Sequence, residues 1–280
     1  MLRSMSSAIS GLRNHQTYMD VVGHNIANVN TVGFKASRIN FKEALAQTYR
    51  VGSEPVPNGM GGTNPAQVGL GVTLGGIDTI MTQGPMTPTG KTTDLAIQGE
   101  GFFMLGTPDA GGNVVPAYFT RDGAFSRDEA GYLVDPVSGQ YLLGGDPAAP
   151  DRILIDPAWG WANFAISSDG TITGVLADGT TDTVNRPQIL LAKFNNPEGL
   201  LRAGGSLFQE GLNSGDPIIG APGDNTIGMG TLMSGTLEGS NVELAEQFTR
   251  MIMAERGFQA NSRIITASDE MLQDLVNMKR

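Results

Sequence analysis

The stretch that decides the fold is residues 23–35, GHNIANVNTVGFK, where an amphipathic helical pattern ends abruptly in Asn, Gly and Thr. Asn and Gly tolerate left-handed backbone, and an Asn side chain binds the free polar groups of a helix end. We therefore predict that asparagines end the helix here, that a glycine at positive φ allows a sharp turn, and that a phenylalanine anchors the outgoing chain. These predicted junction residues are Asn25, Asn28, Asn30, Gly33 and Phe34.

The residues before this stretch predict a helix with a narrow apolar seam. Over residues 1–28 the apolar side chains recur at alternating spacings of three and four, which is the pattern of a coiled coil rather than of a globular surface helix. The apolar members of this row are Leu2, Met5, Ile9, Leu12, Met19 and Ile26.

The C-terminal residues predict a second helix of the same kind. Met251, Phe258, Ile265 and Leu272 recur every seven residues, and Ile264, Met271 and Met278 form a parallel row beside them. Ser240 or Asn241, followed by Glu243, is the predicted N-cap with an acidic first turn.

Between the helices the apolar period changes to two, which indicates strands. DLAIQ (94–98) and NFAIS (163–167) alternate, whereas residues 102–105 and 189–191 are continuous apolar runs typical of fully buried strands. Asp-Gly pairs in SSDGTIT (167–173) and LADGTTD (176–182) predict hairpins and explain these aspartates better than weak calcium binding does.

The sequence therefore predicts a mixed α and β fold, in which N- and C-terminal coiled-coil-type helices enclose an inserted all-β domain with an extended linker. The predicted boundaries are 1–30 with 236–280 for the helical domain, 31–75 for the Gly/Pro-rich linker and 76–235 for the β-rich outer domain.

The apolar seams of the two helices need a partner, because isolated helices are marginal in water. One interpretation is a monomer whose helices form a hairpin docked on the β-domain. The other is an oligomer in which the helices pack with copies of themselves. We favour the oligomer, since heptad patterns at both ends of one chain otherwise have no purpose.

Composition excludes several classes of function. The chain has 280 residues, 39 glycines, a net charge of −10 and no cysteine. It therefore lacks a basic surface for nucleic acid, a disulfide framework and a thiolate metal site. No apolar run reaches the ~18 residues of a membrane span, and Arg13 interrupts the segment where a cleaved signal peptide needs unbroken apolar residues.

No motif predicts catalysis, a cofactor or a metal. Gly84 and Gly90 are separated by five residues where a phosphate loop needs four, and a strand pattern follows Lys91 where a helix is required. QGEGFFML (98–105) has Met104 in place of the third glycine of a dinucleotide fingerprint. His15 and His24 lie on opposite sides of the first helix, so one metal ion does not reach both.

Four stretches carry a resemblance to a known family. Residues 10–43, SGLRNHQTYMDVVGHNIANVNTVGFKASRINFKE, resemble the signature shared by bacterial flagellar rod and hook proteins, N-x-A-N-x-x-T-x-G-F-K. Residues 234–280 resemble the terminal helix of that family, and DLAIQGEGFFML (94–105) and YFTRDGAFSRDEAGYLV (118–134) resemble its β-domain. The resemblance covers both ends and much of the middle.

This resemblance implies a non-enzymatic homopolymer: a hollow helical tube with the terminal helices in its axial core and the β-domain outside. It implies an extracellular flagellar location after type III export without a cleaved signal peptide. The implied partners are the flagellar rod, the hook-filament junction proteins, the hook cap and the export apparatus, with no nucleic acid and no membrane insertion.

Within the family, GGTNPAQVGLGV, RGFQANSRIIT and LVNMKR resemble hook subunits of a short form, which transmit torque from rod to filament as a flexible joint. The distal rod protein of the basal body is the alternative. Its terminal helix usually reads closer to R-A-Y-E-x-N-S-K, where residues 256–263 of this chain read RGFQANSR, and its linker tends to be longer and Gln-rich. These departures predict a hook subunit.

Overall fold

The structure is a computed structural model that describes residues 2–55, 61–108, 114–156, 159–176, 178, 180–182 and 186–278. The chain folds as two compact units. The helical unit comprises Met1–Ala27, Ser37–Thr79 and Glu243–Arg280, and the β unit comprises Asn28–Ala36 and Ile80–Val242. The prediction of a mixed α and β fold, with terminal helices flanking a β-rich domain, is confirmed.

Among its described residues, the helical unit contains two long helices and four strands. Its elements are α1 (Leu2–Ala27), β1 (Ser37–Glu43), β2 (Ala46–Arg50), β3 (Ala66–Gly69), β4 (Val72–Thr79) and α2 (Leu244–Met278). The strands form two antiparallel pairs, β1 with β4 and β2 with β3. Asn14 on α1 donates a hydrogen bond from Nδ2 to the carbonyl of Val72 at 2.8 Å, so α1 lies against the end of β4.

Half of the described residues of the predicted linker are therefore paired strand in the same unit as the two helices. Residues 31–75 read as an extended arm because they are rich in Gly and Pro, but extended chain segments satisfy their backbone polar groups by pairing with each other. In the first pair, β1 and β4 are aligned from Ser37 opposite Thr79 to Glu43 opposite Val72. The prediction of where each domain begins and ends remains a prediction.

The β unit contains sixteen strands among its described residues. They are β5 (Met86–Pro88), β6 (Leu95–Gln98), β7 (Phe102–Pro108), β8 (Val114–Thr120), β9 (Ser126–Arg127), β10 (Leu133–Val134), β11 (Tyr141–Asp146), β12 (Ala149–Arg152), β13 (Trp161–Ile166), β14 (Ile172–Leu176), β15 (Leu191–Lys193), β16 (Leu201–Gly204), β17 (Leu207–Gln209), β18 (Ile218–Gly220), β19 (Thr231–Ser234) and β20 (Thr236–Glu238). A short 3-10 helix, Pro197–Gly199, precedes β16.

Strand β7 is the centre of the largest sheet. The ten strands follow the order β16-β17-β8-β7-β11-β10-β9, with β12 on β11, β15 on β7 and β18 on β15. Phe103 and Leu105 on one face of β7 enter one apolar core, and Phe102 and Met104 on the other face enter a second. The prediction that residues 102–105 form a strand buried on both faces is confirmed.

The predicted hairpins have different outcomes. The first is confirmed, because β13 and β14 pair around Ser167–Thr171 and the Asp169 carboxylate accepts the backbone N–H of Thr171 at 3.1 Å. The turn predicted at residues 176–182 includes positions 177 and 179, which lie outside the described residues. Its ends pair, since Val175 bridges Thr181.

The predicted N-cap of the C-terminal helix is wrong. Helix α2 begins at Leu244, and the N–H of Gln247 donates to the carbonyl of Glu243, so Glu243 occupies the cap position. Asn241 does not cap the helix because its side chain binds backbone groups of the β unit instead. Ser240 bonds the N–H of Val242 at 3.3 Å.

A buried chain junction and an exposed apolar helix surface as the candidate functional site

The first predicted junction residue, Asn25, lies buried in the last turn of α1. Its Nδ2 donates to the carbonyl of Ser37 at 2.8 Å, and the N–H of Ser37 donates back to its Oδ1 at 2.9 Å. The same Nδ2 lies 3.2 Å from Oε1 of Gln247, which is also buried, in the first turn of α2. One amide therefore holds together the end of α1, the start of β1 and the start of α2.

The next predicted residues form the turn that follows α1. The N–H of Thr31 donates to the carbonyl of Asn28 at 3.2 Å, and the Thr31 hydroxyl donates to the Asn28 side chain at 3.1 Å. Asn30 is exposed beside a cavity of about 320 Å³. Helix α1 ends at Ala27, so these two asparagines lie in the turn rather than in the helix.

Gly33 has φ of 66°, as the sequence predicts. A Cβ at this position would also lie 2.5 Å from the backbone nitrogen of Asp122, so the position requires glycine for space as well as for conformation. Its N–H donates to the carbonyl of Glu238 at 2.8 Å. The turn is thereby fixed to the C-terminal strand of the β unit.

Phe34 is buried, and the guanidinium of Arg202 lies over its ring at 5.3 Å from the centroid. Arg202 also donates a hydrogen bond to the carbonyl of the following residue, Lys35. The arrangement combines a cation–π contact with a backbone hydrogen bond. It holds the segment after the turn against β16.

Lys35 belongs to a buried ionic cluster that sequence analysis missed. Its Nζ lies 2.5 Å from Oε1 of Glu238, and Arg121 Nη1 lies 3.3 Å from Oε2 of the same carboxylate. Lys35 is 1% exposed and Glu238 is fully buried. Apolar periodicity does not reveal such a cluster, because its three charges are far apart in sequence and meet only in the fold.

The cluster makes several further hydrogen bonds but carries excess positive charge, and the buried Nε of Arg121 has no hydrogen-bond partner among the described residues. Lys35 donates to the carbonyl of Thr82 at 2.8 Å, Arg121 to that of Gly99 at 2.9 Å, and the amide of Gly84 to Glu238 at 2.9 Å. Burial lowers the pKa of Lys35, against the opposing attraction of Glu238. Burial lowers the pKa of Arg121 for the same reason.

Asn241 completes the junction within the β unit. Its Oδ1 accepts the N–H of Ala36 at 2.7 Å, and its Nδ2 donates to the carbonyl of Ile80 at 2.8 Å. The N–H of Ile80 in turn donates to the carbonyl of Ala36 at 2.8 Å. Three segments that are distant in sequence thus meet at one amide.

The two helices pack antiparallel through small and polar side chains. A Cβ at Gly11 would lie 2.8 Å from Nδ2 of Asn261, and a Cβ at Gly257 would overlap the ring of His15. Gln247, Ala254, Asn261 and Ser268 form a row seven residues apart on α2. All but the half-buried Asn261 are buried. This row is the within-chain seam.

The predicted interface row of α1 lies beside this seam. Met5, Leu12, Met19 and Ile26 are half-buried and Ile9 is exposed, while the side chain of Leu2 lies outside the described residues. On α2, the predicted residues Met251, Phe258, Ile265 and Leu272 are also half-buried. Sequence analysis missed the seam because its residues on α2 are small or polar rather than large and apolar.

Large apolar side chains project from the helical unit into solvent. Phe248, Ile252 and Met253 near the start of α2 are 51%, 50% and 55% exposed. Further exposed apolar residues follow along the same helix: Ile264, Met271, Leu275, Val276 and Met278. Large apolar side chains left exposed along one helix make α2 a candidate interaction surface.

Metal and membrane sites are not found among the described residues. No group of three or more His, Asp or Glu side chains there is placed to hold a metal ion. His15 lies 6.2 Å from the ring of Phe41, and His24 is exposed. No helix in the described part of the chain is long and apolar enough to cross a membrane.

Three profiles of known protein families match successive segments of the chain. A profile described as flagella basal body rod protein matches residues 5–35, one described as flagellar hook protein FlgE/F/G D1 domain matches 96–174, and one described as flagellar basal body rod FlgEFG protein C-terminal matches 233–278. The flagellar basal-body rod protein FlgG of Bacillus subtilis (strain 168) is 46% identical over 284 residues, which cover 100% of both chains.

The chain belongs to the flagellar rod and hook protein family. The rod protein FlgG of Borreliella burgdorferi is 35% identical over 280 residues, covering 100% of both chains. The hook protein FlgE of the same organism is 29% identical over 452 aligned positions, again covering 100% of both. The chain is thus a component of the flagellar basal body and hook, in a family of structural proteins that serve motility.

The junction and the exposed helix surface both lie in matched segments. The first profile covers α1 from residue 5 onward, the turn and Lys35, and the last covers Glu238, Asn241 and all of α2. The predicted family is therefore confirmed, whereas the prediction of hook rather than rod is less well supported than its alternative.

Proposed function

We propose that this protein is a subunit of the rod of the flagellar basal body, the alternative that sequence analysis set beside the hook. The observation that carries this proposal is the match in length. Rod relatives align with the chain over 280 and 284 positions, whereas two hook relatives need 452 and 474. Those hook proteins carry a large additional segment that this chain lacks.

Assembly proceeds through the helical unit. The small and polar seam between α1 and α2 is satisfied within one chain, but Phe248, Ile252 and Met253 are not covered. Each large apolar side chain that leaves water contributes roughly 1.5–3 kcal/mol. A second copy of the helical unit offers apolar surface of the same kind, so polymerisation buries what the single chain leaves exposed.

In the assembled polymer the terminal helices line the axial core in coiled-coil-type contacts and the β unit lies outside. The subunit-interface residues of this proposal remain those of the two predicted rows: Leu2, Met5, Ile9, Leu12, Met19, Ile26, Met251, Phe258, Ile265 and Leu272. The exposed residues beside them on α2, such as Ile252, extend the same surface.

The chain crosses between the two units at this junction, and contacts within each unit hold its own side of the crossing. Asn25 fixes the chain on the helical side, while Gly33, Lys35 and Asn241 fix it in the β unit. The protein acts as a structural element without catalysis. It reaches its place through the flagellar export apparatus, and its neighbours are other subunits of the flagellar axis.

An epitope tag on the chain in its own organism tests the proposal. Hook-basal bodies are purified and labelled with gold-conjugated antibody, and the label is located by electron microscopy. Label along the straight shaft below the hook is the expected result. Label distributed along the curved hook would instead show that the chain is a hook subunit. A tag at exposed loop residue Gly139, far from both helices in sequence, leaves the terminal segments unaltered.

A further inference from the structure

A polar cavity with an aromatic wall lies in the β unit, away from the junction residues. It has a volume of about 280 Å³ and is bordered by β13 and the segment after β12. The lining side chains that carry chemistry are Thr92, Arg127, Asp156, Trp161, Asn163 and Phe164. None of these residues contributes to the assembly surface or to the buried ionic cluster.

The indole of Trp161 is held in one orientation. Its Nε1 donates to Oδ2 of Asp182 at 3.0 Å, and its ring lies directly on Gly174, where a Cβ would overlap it. The ring of Trp159 lies 4.9 Å away at a tilt of 51°. A half-exposed aromatic ring fixed in this way is preorganised, so a ligand that stacks on it loses little entropy from the protein.

Two polar side chains at the cavity have unused hydrogen-bonding capacity. Arg127 and Asn163 are exposed and form no side-chain hydrogen bond or ion pair with any residue that the structure describes. A guanidinium offers a planar set of donors, and an amide offers two donors and an acceptor. The carboxylate of Asp156 adds acceptors at the same cavity.

We infer that this cavity binds a neutral saccharide. A sugar ring has an apolar C–H face that stacks on an aromatic ring, and its rim of hydroxyls forms paired hydrogen bonds with amide, carboxylate and guanidinium groups. Trp161 supplies the first kind of contact, while Arg127, Asp156 and Asn163 supply the second. A phosphorylated or anionic ligand fits less well, since the carboxylate of Asp156 lines the cavity together with Arg127 and the chain has a net charge of −10.

Intrinsic fluorescence reports on this cavity because Trp161 lines it and Trp159, the other tryptophan of the chain, lies against Trp161. The full-length protein is titrated with chitotriose and, separately, with cellotriose. The expected result is a saturable change in emission with at least one of these sugars. Arg127→Ala and Asn163→Ala each weaken the apparent affinity at least about fivefold, the effect of losing one hydrogen bond.

Asn195→Ala is the matched control, since Asn195 is an exposed asparagine of the same unit that lines a different cavity. It leaves the affinity unchanged, and thermal melting shows that all three variants keep the wild-type Tm. The inference is overturned if neither sugar gives a saturable change, if Arg127→Ala and Asn163→Ala both bind as tightly as wild type, or if the control loses affinity equally.

Discussion

The side-chain amide of Asn25 pairs with the backbone of Ser37 through two hydrogen bonds, of 2.8 Å and 2.9 Å, in opposite directions. This exchange reproduces what a neighbouring strand offers to a backbone, so the start of β1 is satisfied by the end of α1. Gln247 then connects the same amide to α2. Asn25 therefore stabilises the contacts among α1, β1 and α2, whereas helix propensity alone would predict only that it ends α1.

Asn25→Ala removes these three hydrogen bonds, which deprives the half-buried backbone of Ser37 and the buried side chain of Gln247 of a partner. We expect the helical unit to lose on the order of 2–4 kcal/mol of stability, because an unpaired buried polar group costs ~1–3 kcal/mol in addition to the lost bonds. Chemical denaturation followed by far-ultraviolet circular dichroism measures the change. Asn30→Ala, the same substitution at an exposed residue, is the control and stays within ~0.5 kcal/mol of wild type. Equal stability of the two variants would contradict the role assigned to Asn25.

Gly33→Ala tests the turn after α1. The left-handed backbone costs an alanine ~1–2 kcal/mol, and the new methyl group meets the backbone of Asp122. Gly139→Ala is the matched control, because Gly139 has φ of 71° but open space around it. We expect both variants to lose stability in calorimetry and Gly33→Ala to lose clearly more. If the two losses are the same, the close approach to Asp122 has no effect on stability.

The junction shows how far sequence reasoning reaches. Asn25 and Gly33 are recognisable because helix ends and tight turns restrict residue type locally. Lys35, Arg121 and Glu238 are not, since nothing local in a sequence predicts that three distant charges will be buried together. Asn241 misled the analysis for a related reason: it has the residue type of an N-cap, but tertiary contacts with Ala36 and Ile80 use its side chain.

Because of the buried cluster, the free energy of unfolding changes with pH in the alkaline range. The pKa of Lys35 is lowered from 10.5 by burial, so between its folded pKa and 10.5 the unfolded chain binds more protons than the folded chain. Stability conferred by this group therefore rises as the pH rises through that window. Lys35→Met removes the titrating group and with it this rise.

The measurement is the free energy of unfolding of wild type and Lys35→Met at several pH values from neutral up to 10.5. The wild-type value minus the variant value is expected to increase with pH. Lys42→Met, at an exposed lysine, is the control and shows no such trend. A difference for Lys35→Met that is flat or falls with pH would show that the lysine is not desolvated as described.

Ala254→Leu tests the seam between the helices. Ala254 is fully buried, so a larger side chain forces the helices apart, and overpacking of this kind costs ~1–3 kcal/mol. Ala260→Leu makes the same change at an exposed position of α2 and is expected to leave unfolding of the isolated subunit unchanged. Chemical denaturation in dilute solution, where the subunit is monomeric, compares them. A neutral Ala254→Leu would place the seam elsewhere on the helix.

The seam shows how far apolar periodicity predicts the residues by which α2 contacts α1. On α2, Gln247, Ala254, Asn261 and Ser268 recur every seven residues along the contact with α1, which is a different row from the one that apolar periodicity predicted. The apolar rows chosen from the sequence lie beside this seam, because small residues at the contact let the two helices approach closely. The strands of the β unit were easier, since a continuous run such as residues 102–105 has few other structures available.

The central claim is that exposed apolar residues of α2 join copies of this chain into a polymer. Ile252→Asp tests it more cleanly than Phe258→Asp, because Ile252 is 50% exposed in the single chain whereas Phe258 is half-buried within it. Ser262→Asp adds the same charge at an exposed polar position of the helix and is the control.

Purified wild type, Ile252→Asp and Ser262→Asp are concentrated under identical conditions, sedimented and examined by electron microscopy, and the Tm of each dilute monomer is recorded. The account predicts tubes for wild type and Ser262→Asp, and a soluble subunit with an unchanged Tm for Ile252→Asp. Tubes formed by Ile252→Asp as readily as by wild type would contradict it.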